Sequence, residues 1–145
     1  MNMKKIILIV VAILAVNFAF SQAKSELNFG GLGTGLYLSY EIPVASAVTI
    51  APLAKTDWDF NHLVLGVKAD YYFDELFGLP DAWDVYGGLN GGYRIWFSDG
   101  HSASDSFDIG AEIGGRWFWS DRWGLNLEFG GGTSVNGGLG ITMRL

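Results

Sequence analysis

The sequence predicts an all-β protein, a closed antiparallel up-and-down transmembrane β-barrel of eight strands. Three observations carry that expectation. Apolar and polar side chains alternate with a period of two through most of the chain beyond residue 26, as strands with two unlike faces require. Aromatic residues collect at the ends of these runs. The polar face consists largely of glycine with a few charges of both signs, a composition that suits a narrow interior better than a solvated surface.

The clearest segment covers residues 61–73. Leu63, Leu65, Val67, Ala69, Tyr71 and Phe73 fall on one face, and His62, Val64, Gly66, Lys68, Asp70 and Tyr72 fall on the other. Ahead of it, residues 1–23 have the layout of a secretory signal peptide. Lys4 and Lys5 precede an apolar run over 6–20, and small residues follow at Ala19, Ser21 and Ala23. The run is short for a helical span. Cleavage is expected after Ser21 or Ala23, leaving a barrel domain over 24–145.

Residues 26–42 admit two readings. Either one long strand reaches Tyr40, or two short strands join through a glycine turn around Gly31 and Gly33. The even strand number of single-chain bacterial barrels favours two. Leu36, Leu38, Tyr40 and Ile42 then alternate with Tyr37, Ser39 and Glu41, and Pro43 is expected to end the strand because it cannot donate to a ladder. A weak strand over 46–54 sets Val48 and Ile50 against Ala47, Thr49 and Ala51, with Pro52 marking an edge, a bulge or an end. Residues 55–59 are polar and read as a loop. Residues 74–82, with Gly78 and Pro80, read as a connection in which Leu76, Phe77 and Leu79 could form one amphipathic turn.

Further on, Val85, Gly87, Leu89, Gly91, Tyr93, Ile95 and Phe97 alternate with Tyr86, Gly88, Asn90, Gly92, Arg94 and Trp96. Residues 98–106 form a Ser/Asp/Gly/His loop without an apolar anchor. Phe107, Ile109, Ala111, Ile113, Gly115, Trp117 and Trp119 share the next apolar face, opposite Asp108, Gly110, Glu112, Gly114, Arg116 and Phe118. A turn at 120–122 leads to Trp123, Leu125, Leu127 and Phe129, opposite Gly124, Asn126, Glu128 and Gly130. After a turn over 130–134, the last strand sets Val135, Gly137, Leu139, Ile141, Met143 and Leu145 against Asn136, Gly138, Gly140, Thr142 and Arg144.

Periodicity alone does not say which face is inside; a soluble barrel would turn the aliphatic face inward. Three features favour the inverted arrangement. Tyr40, Tyr71, Phe73, Trp83, Trp117, Trp119 and Trp123 assign to one rim, and Phe60, Phe97 and Phe107 to the other, a double girdle of the kind found at two bilayer interfaces. The polar face carries Glu41, Asp70, Asp108, Glu112 and Glu128 with Lys68, Arg94, Arg116 and Arg144, which read as a structural charge network in the lumen. The apolar faces of the clearer strands carry no charge, and a cation at the bilayer midplane there would cost about 2–4 kcal/mol.

Composition narrows the function classes. The 145 residues suffice for one domain and contain no cysteine, so neither disulfides nor thiolate metal sites hold it together. Glycine, at 21 residues, stands near twice its usual share of roughly 7%. The formal charge is −6 and becomes −8 once Lys4 and Lys5 leave with the leader. An anionic surface without a basic patch argues against nucleic acid.

The leader, the alternating segments, the aromatic ends and the strand-like C-terminus resemble the small eight-stranded, porin-like outer-membrane barrels of Gram-negative bacteria. The phrases at 67–73 (Val-Lys-Ala-Asp-Tyr-Tyr-Phe), 84–90 (Asp-Val-Tyr-Gly-Gly-Leu-Asn) and 123–130 (Trp-Gly-Leu-Asn-Leu-Glu-Phe-Gly) are similar to uncharacterised barrels of Bacteroidota type. The resemblance implies the cell outer membrane as location, with outer-membrane lipid and the barrel-insertion machinery as partners. Members of that family usually end in an aromatic, whereas this chain ends Met143, Arg144, Leu145.

The function expected is that of a non-enzymatic barrel with a narrow, charge-plugged lumen, serving envelope integrity or presenting surface loops. A small channel or solute-binding barrel is the alternative. A more remote one is a lipid-modifying enzyme of the outer leaflet, for which His101 with Ser102 or Ser104, or His62, would supply base and nucleophile. Neither histidine has an evident orienting carboxylate in the sequence. Asp99, Asp105 and Asp108 lack a ligand-loop spacing, and Gly30, Gly31 and Gly33 lack the strand-to-helix context of a phosphate loop. No catalytic residue, cofactor or metal is expected. The barrel is expected to be a monomer, and a ligand for its loops stays open.

Overall fold

The computed structural model describes residues 24–31, 35–97, 106–132 and 137–145. The elements in chain order are β1 (Glu26–Gly30), β2 (Gly35–Ala45), β3 (Val48–Asp57), β4 (His62–Tyr72), α1 (Asp74–Phe77), β5 (Trp83–Trp96), β6 (Ser106–Phe118), β7 (Trp123–Gly130) and β8 (Gly138–Arg144). Each strand pairs antiparallel with the next, and β1 pairs with β8 from Glu26↔Arg144 to Gly30↔Gly140. The sheet is therefore a closed barrel of eight strands, which leaves no edge for another chain to extend.

The two readings of residues 26–42 resolve to two strands, paired with each other from Glu26↔Glu41 to Gly30↔Tyr37. Two expectations are corrected. Pro43 does not end its strand, because β2 runs on to Ala45 and a register shift between Pro43 and Ala45 accommodates the missing N–H. Lys55 and Thr56 are not in a loop either, since β3 continues to Asp57 and pairs with β4 through Thr56↔Leu63. Polarity misled there because Lys55 faces the barrel interior, where a charge is at home. Pro52 stays in β3, paired with Val67, while the β2–β3 ladder lapses opposite it between Ser39↔Leu53 and Ile42↔Ile50.

The two rims differ. One carries the β2–β3, β4–β5 and β6–β7 connections and the ends of β1 and β8 that hold Glu26 and Arg144; it is called the termini rim below. The opposite one carries the β1–β2, β3–β4, β5–β6 and β7–β8 connections and is called the loop rim. The β4–β5 connection contains α1, as the amphipathic turn expected there. Gly78 closes that turn in the left-handed region, at φ 62°, and its N–H bonds back to the carbonyl of Glu75. The Asp74 carboxylate accepts the backbone N–H of Val85 at 2.7 Å, tying the helix to the start of β5. The leader and residues 98–105 lie outside the described residues, and so do His101, Ser102 and Ser104.

Burial shows which face is inside. Ile109, Leu89 and Ile113 are 72%, 69% and 65% exposed on the outer wall, while Arg116 and Lys68 are 1% and 2% exposed within it. Among the described residues an ordinary hydrophobic core is lacking. Tyr72 and Tyr86 form the buried apolar cluster among the described residues, and the buried side chains are otherwise mostly Glu, Asp, Asn, Thr, Lys and Arg. Water-exposed apolar area on this scale needs a covering partner.

Candidate functional site

The site is the barrel interior, and strand parity builds it. With Leu27 and Phe29 turned outward, Glu26 and Asn28 must point inward; the same rule brings Glu41 from β2, Thr49 from β3, Lys68, Asp70 and Tyr72 from β4, and Tyr86 from β5 to the centre. From the other side come Glu112 and Arg116 of β6, Asn126 and Glu128 of β7, and Thr142 of β8. All of these are buried.

Glu41 is the hub. Its carboxylate accepts the Asn28 amide at 2.9 Å and the Thr49 hydroxyl at 3.3 Å, and it also accepts the Tyr72 hydroxyl and the Arg116 guanidinium. Lys68 Nζ stands 3.7 Å from the same carboxylate, 3.1 Å from Asp70, and in direct contact with Glu128. Arg116 donates to Tyr72, pairs with Glu26 at 2.9 Å, and lies 4.2 Å from the centre of the Tyr86 ring. Toward the termini rim, Arg144 bridges Glu26 at 3.2 Å and Asp84 at 3.1 Å, with its guanidinium 3.4 Å from the Phe118 ring centre. A neutral chain completes the layer. Tyr37 donates to Asn126, Asn126 to Thr142 at 2.9 Å, and Thr142 to Asn28 at 2.5 Å.

These contacts cross the barrel from β1 and β2 to β6 and β7, so they hold opposite walls together. Ion pairs in such a space are weak evidence for net stability, because desolvation offsets attraction. Their partners nevertheless depend on each other, since each side chain left alone would be an uncompensated buried charge.

Of the nine charges expected in the lumen, Glu41, Lys68, Asp70, Arg116, Glu128 and Arg144 join this network, and Glu112 lies beside it, accepting the Asn90 amide. Arg94 and Asp108 sit apart, in the part of the lumen nearer the loop rim: Arg94 pairs with Val64 and Ser106, and Asp108 with Gly92. The network holds more than sequence reading singled out. Glu26 and Asp84 are buried ion-pair partners, and Lys55 faces inward too. Parity was the available signal for each, since Leu27, Val85 and Ala54 are their outward neighbours.

Of the ten aromatics assigned to girdles, Tyr40 lies at the middle of β2 and not at a rim, while the other nine lie toward the strand ends. Tyr71, Trp83, Trp117, Trp119 and Trp123 are exposed near the termini rim with Phe73 half-buried beside them, and Phe60, Phe97 and Phe107 are exposed near the loop rim. Trp58 and Tyr93, also exposed near the loop rim, had not been singled out. The Trp83 and Trp117 rings meet at 6.4 Å, and Phe73 packs against Tyr71 and Phe77.

His62 differs from its sequence reading. Asp57, at the end of β3, stands 3.4 Å from His62 Nδ1 and also accepts the backbone N–H groups of Asn61 and His62. A carboxylate therefore does accompany this histidine. The neighbouring Thr56 hydroxyl donates to the His62 backbone carbonyl at 2.8 Å rather than to the ring, so the pair serves the β3–β4 turn. Among the described residues no group of three or more His, Cys, Asp and Glu side chains could hold a metal ion.

One glycine shows how tightly the interior is filled. A Cβ at Gly114 would lie 2.4 Å from the Tyr86 ring, whose face carries the Arg116 guanidinium. Gly114→Ala is expected to destabilise the barrel by about 1–3 kcal/mol, the usual range for overpacking. Pairing it with Tyr86→Leu should recover part of that loss in urea unfolding, and equal stability of Gly114→Ala and wild type would refute the close packing.

Taken together, these features define a class: a closed eight-stranded antiparallel barrel with a charged interior and an apolar exterior. Among solved structures, the chain is similar to one described as "De novo design of transmembrane beta-barrels", with a TM-score of 0.58 and 10% identity, covering 86% of this chain and 98% of that one. At that identity the likeness concerns the fold. No protein-family model and no curated protein matches the chain.

Proposed function

We propose that the protein is a transmembrane barrel of the Gram-negative outer membrane, of Bacteroidota type, non-enzymatic and closed to bulk solute by its lumen charges. The observation that carries this reading is the inverted polarity of the wall, with aliphatic side chains outside and Glu41, Lys68 and Arg116 sealed within. Lipid is the partner that such an exterior fits, since strands of 11 residues such as β2 and β4 match a bilayer core. The two aromatic rims would stand at its interfaces. Its role is then to support the envelope or to present the loop-rim connections at the surface. The layout of residues 1–23 fits export, and the resemblance noted above supports the location.

Planar-bilayer recording tests the closed lumen. Wild type is expected to show no steady large conductance, because Arg116, Lys68, Tyr72 and Tyr86 fill the cross-section. Removing bulk at its centre with Arg116→Ala in a Glu41→Ala background should open measurable current. A large steady conductance from wild type would refute closure, and recovery of the mature protein in detergent-free soluble fractions would refute the membrane reading.

A further inference from the structure

One group of charges in the lumen takes no part in the network around Glu41. Near the loop rim, inward positions of β3 to β6 align in one row, Lys55↔Val64 and then Val64↔Arg94 and Arg94↔Ser106. Two cations thus flank Val64, one strand away on either side. Val64 is fully buried and Lys55 is 8% exposed, so water screens Lys55 poorly, while Arg94 is half-buried.

Arg94 is the less compensated of the two. Among the described residues it forms no ion pair with a carboxylate, and its buried Nε has no hydrogen-bond partner. Its guanidinium rests over Trp96, 5.5 Å from the ring centre. Stacking of that kind leaves the N–H edge of a guanidinium available while restricting its orientation. Asp57 is held by Asn61 and His62, and Asp108 keeps a contact of its own, as Lys55 does. Two cations thus share the inner face on either side of Val64, and among the described residues Arg94 has no carboxylate paired with it.

We infer that this mouth is a binding site for a small oxyanion, a carboxylate or a phosphate-type group. Arg94 is its principal donor, offering parallel N–H bonds to two oxygens, and Lys55 supplies a second positive charge from β3, on the other side of Val64. Trp96 is the platform that orients Arg94. The acidic balance of the whole chain, −6, makes general attraction of anions an unsuitable explanation for any binding seen. The site rests on the barrel's register and stands whether the outer wall meets lipid or another cover.

The test is titration of the full-length mature barrel, folded in detergent micelles, with inorganic phosphate and separately with acetate, followed by calorimetry and Trp fluorescence. Saturable binding is expected, weakened at least tenfold by Arg94→Gln, several-fold by Lys55→Gln, and unchanged by Arg122→Gln in the exposed turn at the other rim. Tighter binding of phosphate or of acetate identifies which oxyanion the mouth takes. Arg94→Lys keeps the charge without the planar fork and should retain binding between wild type and Arg94→Gln; it decides the matter, with Lys55→Gln, if Arg94→Gln fails to fold. Absence of saturable binding to wild type, or equal loss in Arg122→Gln, overturns the site.

Discussion

Arg116→Ala is expected to destabilise the folded barrel by about 3–5 kcal/mol, the range found when one partner of a buried ion pair is removed. The Arg116 side chain is fully buried and faces two carboxylates, Glu41 in direct contact and Glu26 at 2.9 Å. Truncation leaves Glu41 with Lys68 at 3.7 Å as its remaining cation, and it removes the donor to Tyr72 and the charge over Tyr86. Most of the loss is the cost of leaving those acids buried, so it should shrink when they are neutralised. Arg116→Met combined with Glu41→Gln and Glu26→Gln is therefore expected to recover more than half of it. Urea unfolding in lipid vesicles, read by Trp fluorescence, measures both. An Arg116→Ala barrel within about 0.5 kcal/mol of wild type, the range usual for unremarkable surface substitutions, would show that the interior is wet enough to screen the pair.

Leu89→Arg carries the next largest effect and discriminates between two surroundings of the outer wall. Leu89 lies near the middle of β5, points outward, and is 69% exposed. Against hydrocarbon, an arginine there costs roughly 2–4 kcal/mol, whereas near an interface the cost falls to roughly 0–1 kcal/mol. Leu89→Arg should therefore impair folding into vesicles far more than Phe107→Arg, which lies at the start of β6 by the loop rim. If water covered the wall, both substitutions would be nearly neutral and alike. Equal, small effects at the two positions would remove the membrane reading.

The barrel was legible because a strand records its surroundings every second residue. In β4, β5 and β6 the outward and inward sets derived from alternation are those found, down to Leu89 outside and Asn90 inside. Legibility failed where side-chain chemistry was used in place of parity. Lys55 looked like loop because it is charged, and Pro43 looked like a terminator because it lacks an N–H. A charged lumen accepts the first, and a local register shift accommodates the second. The Asp57 beside His62 was invisible for a related reason, since a hairpin turn and not sequence spacing brings them to 3.4 Å.

Sequence alone determined the alternation, the two-faced character of each segment and the sorting of aromatics to segment ends, because these depend on the order of neighbours along one chain. It also determined which charges share the polar face, as for Lys68 and Asp70. Only the tertiary structure decided that Arg116 meets Glu41 and Glu26 while Arg94 meets neither, since those partners come from strands on different sides of a closed ring and their levels depend on the register of every ladder between them. A period of two says which way a side chain points; the closure and stagger of the sheet say what it finds there.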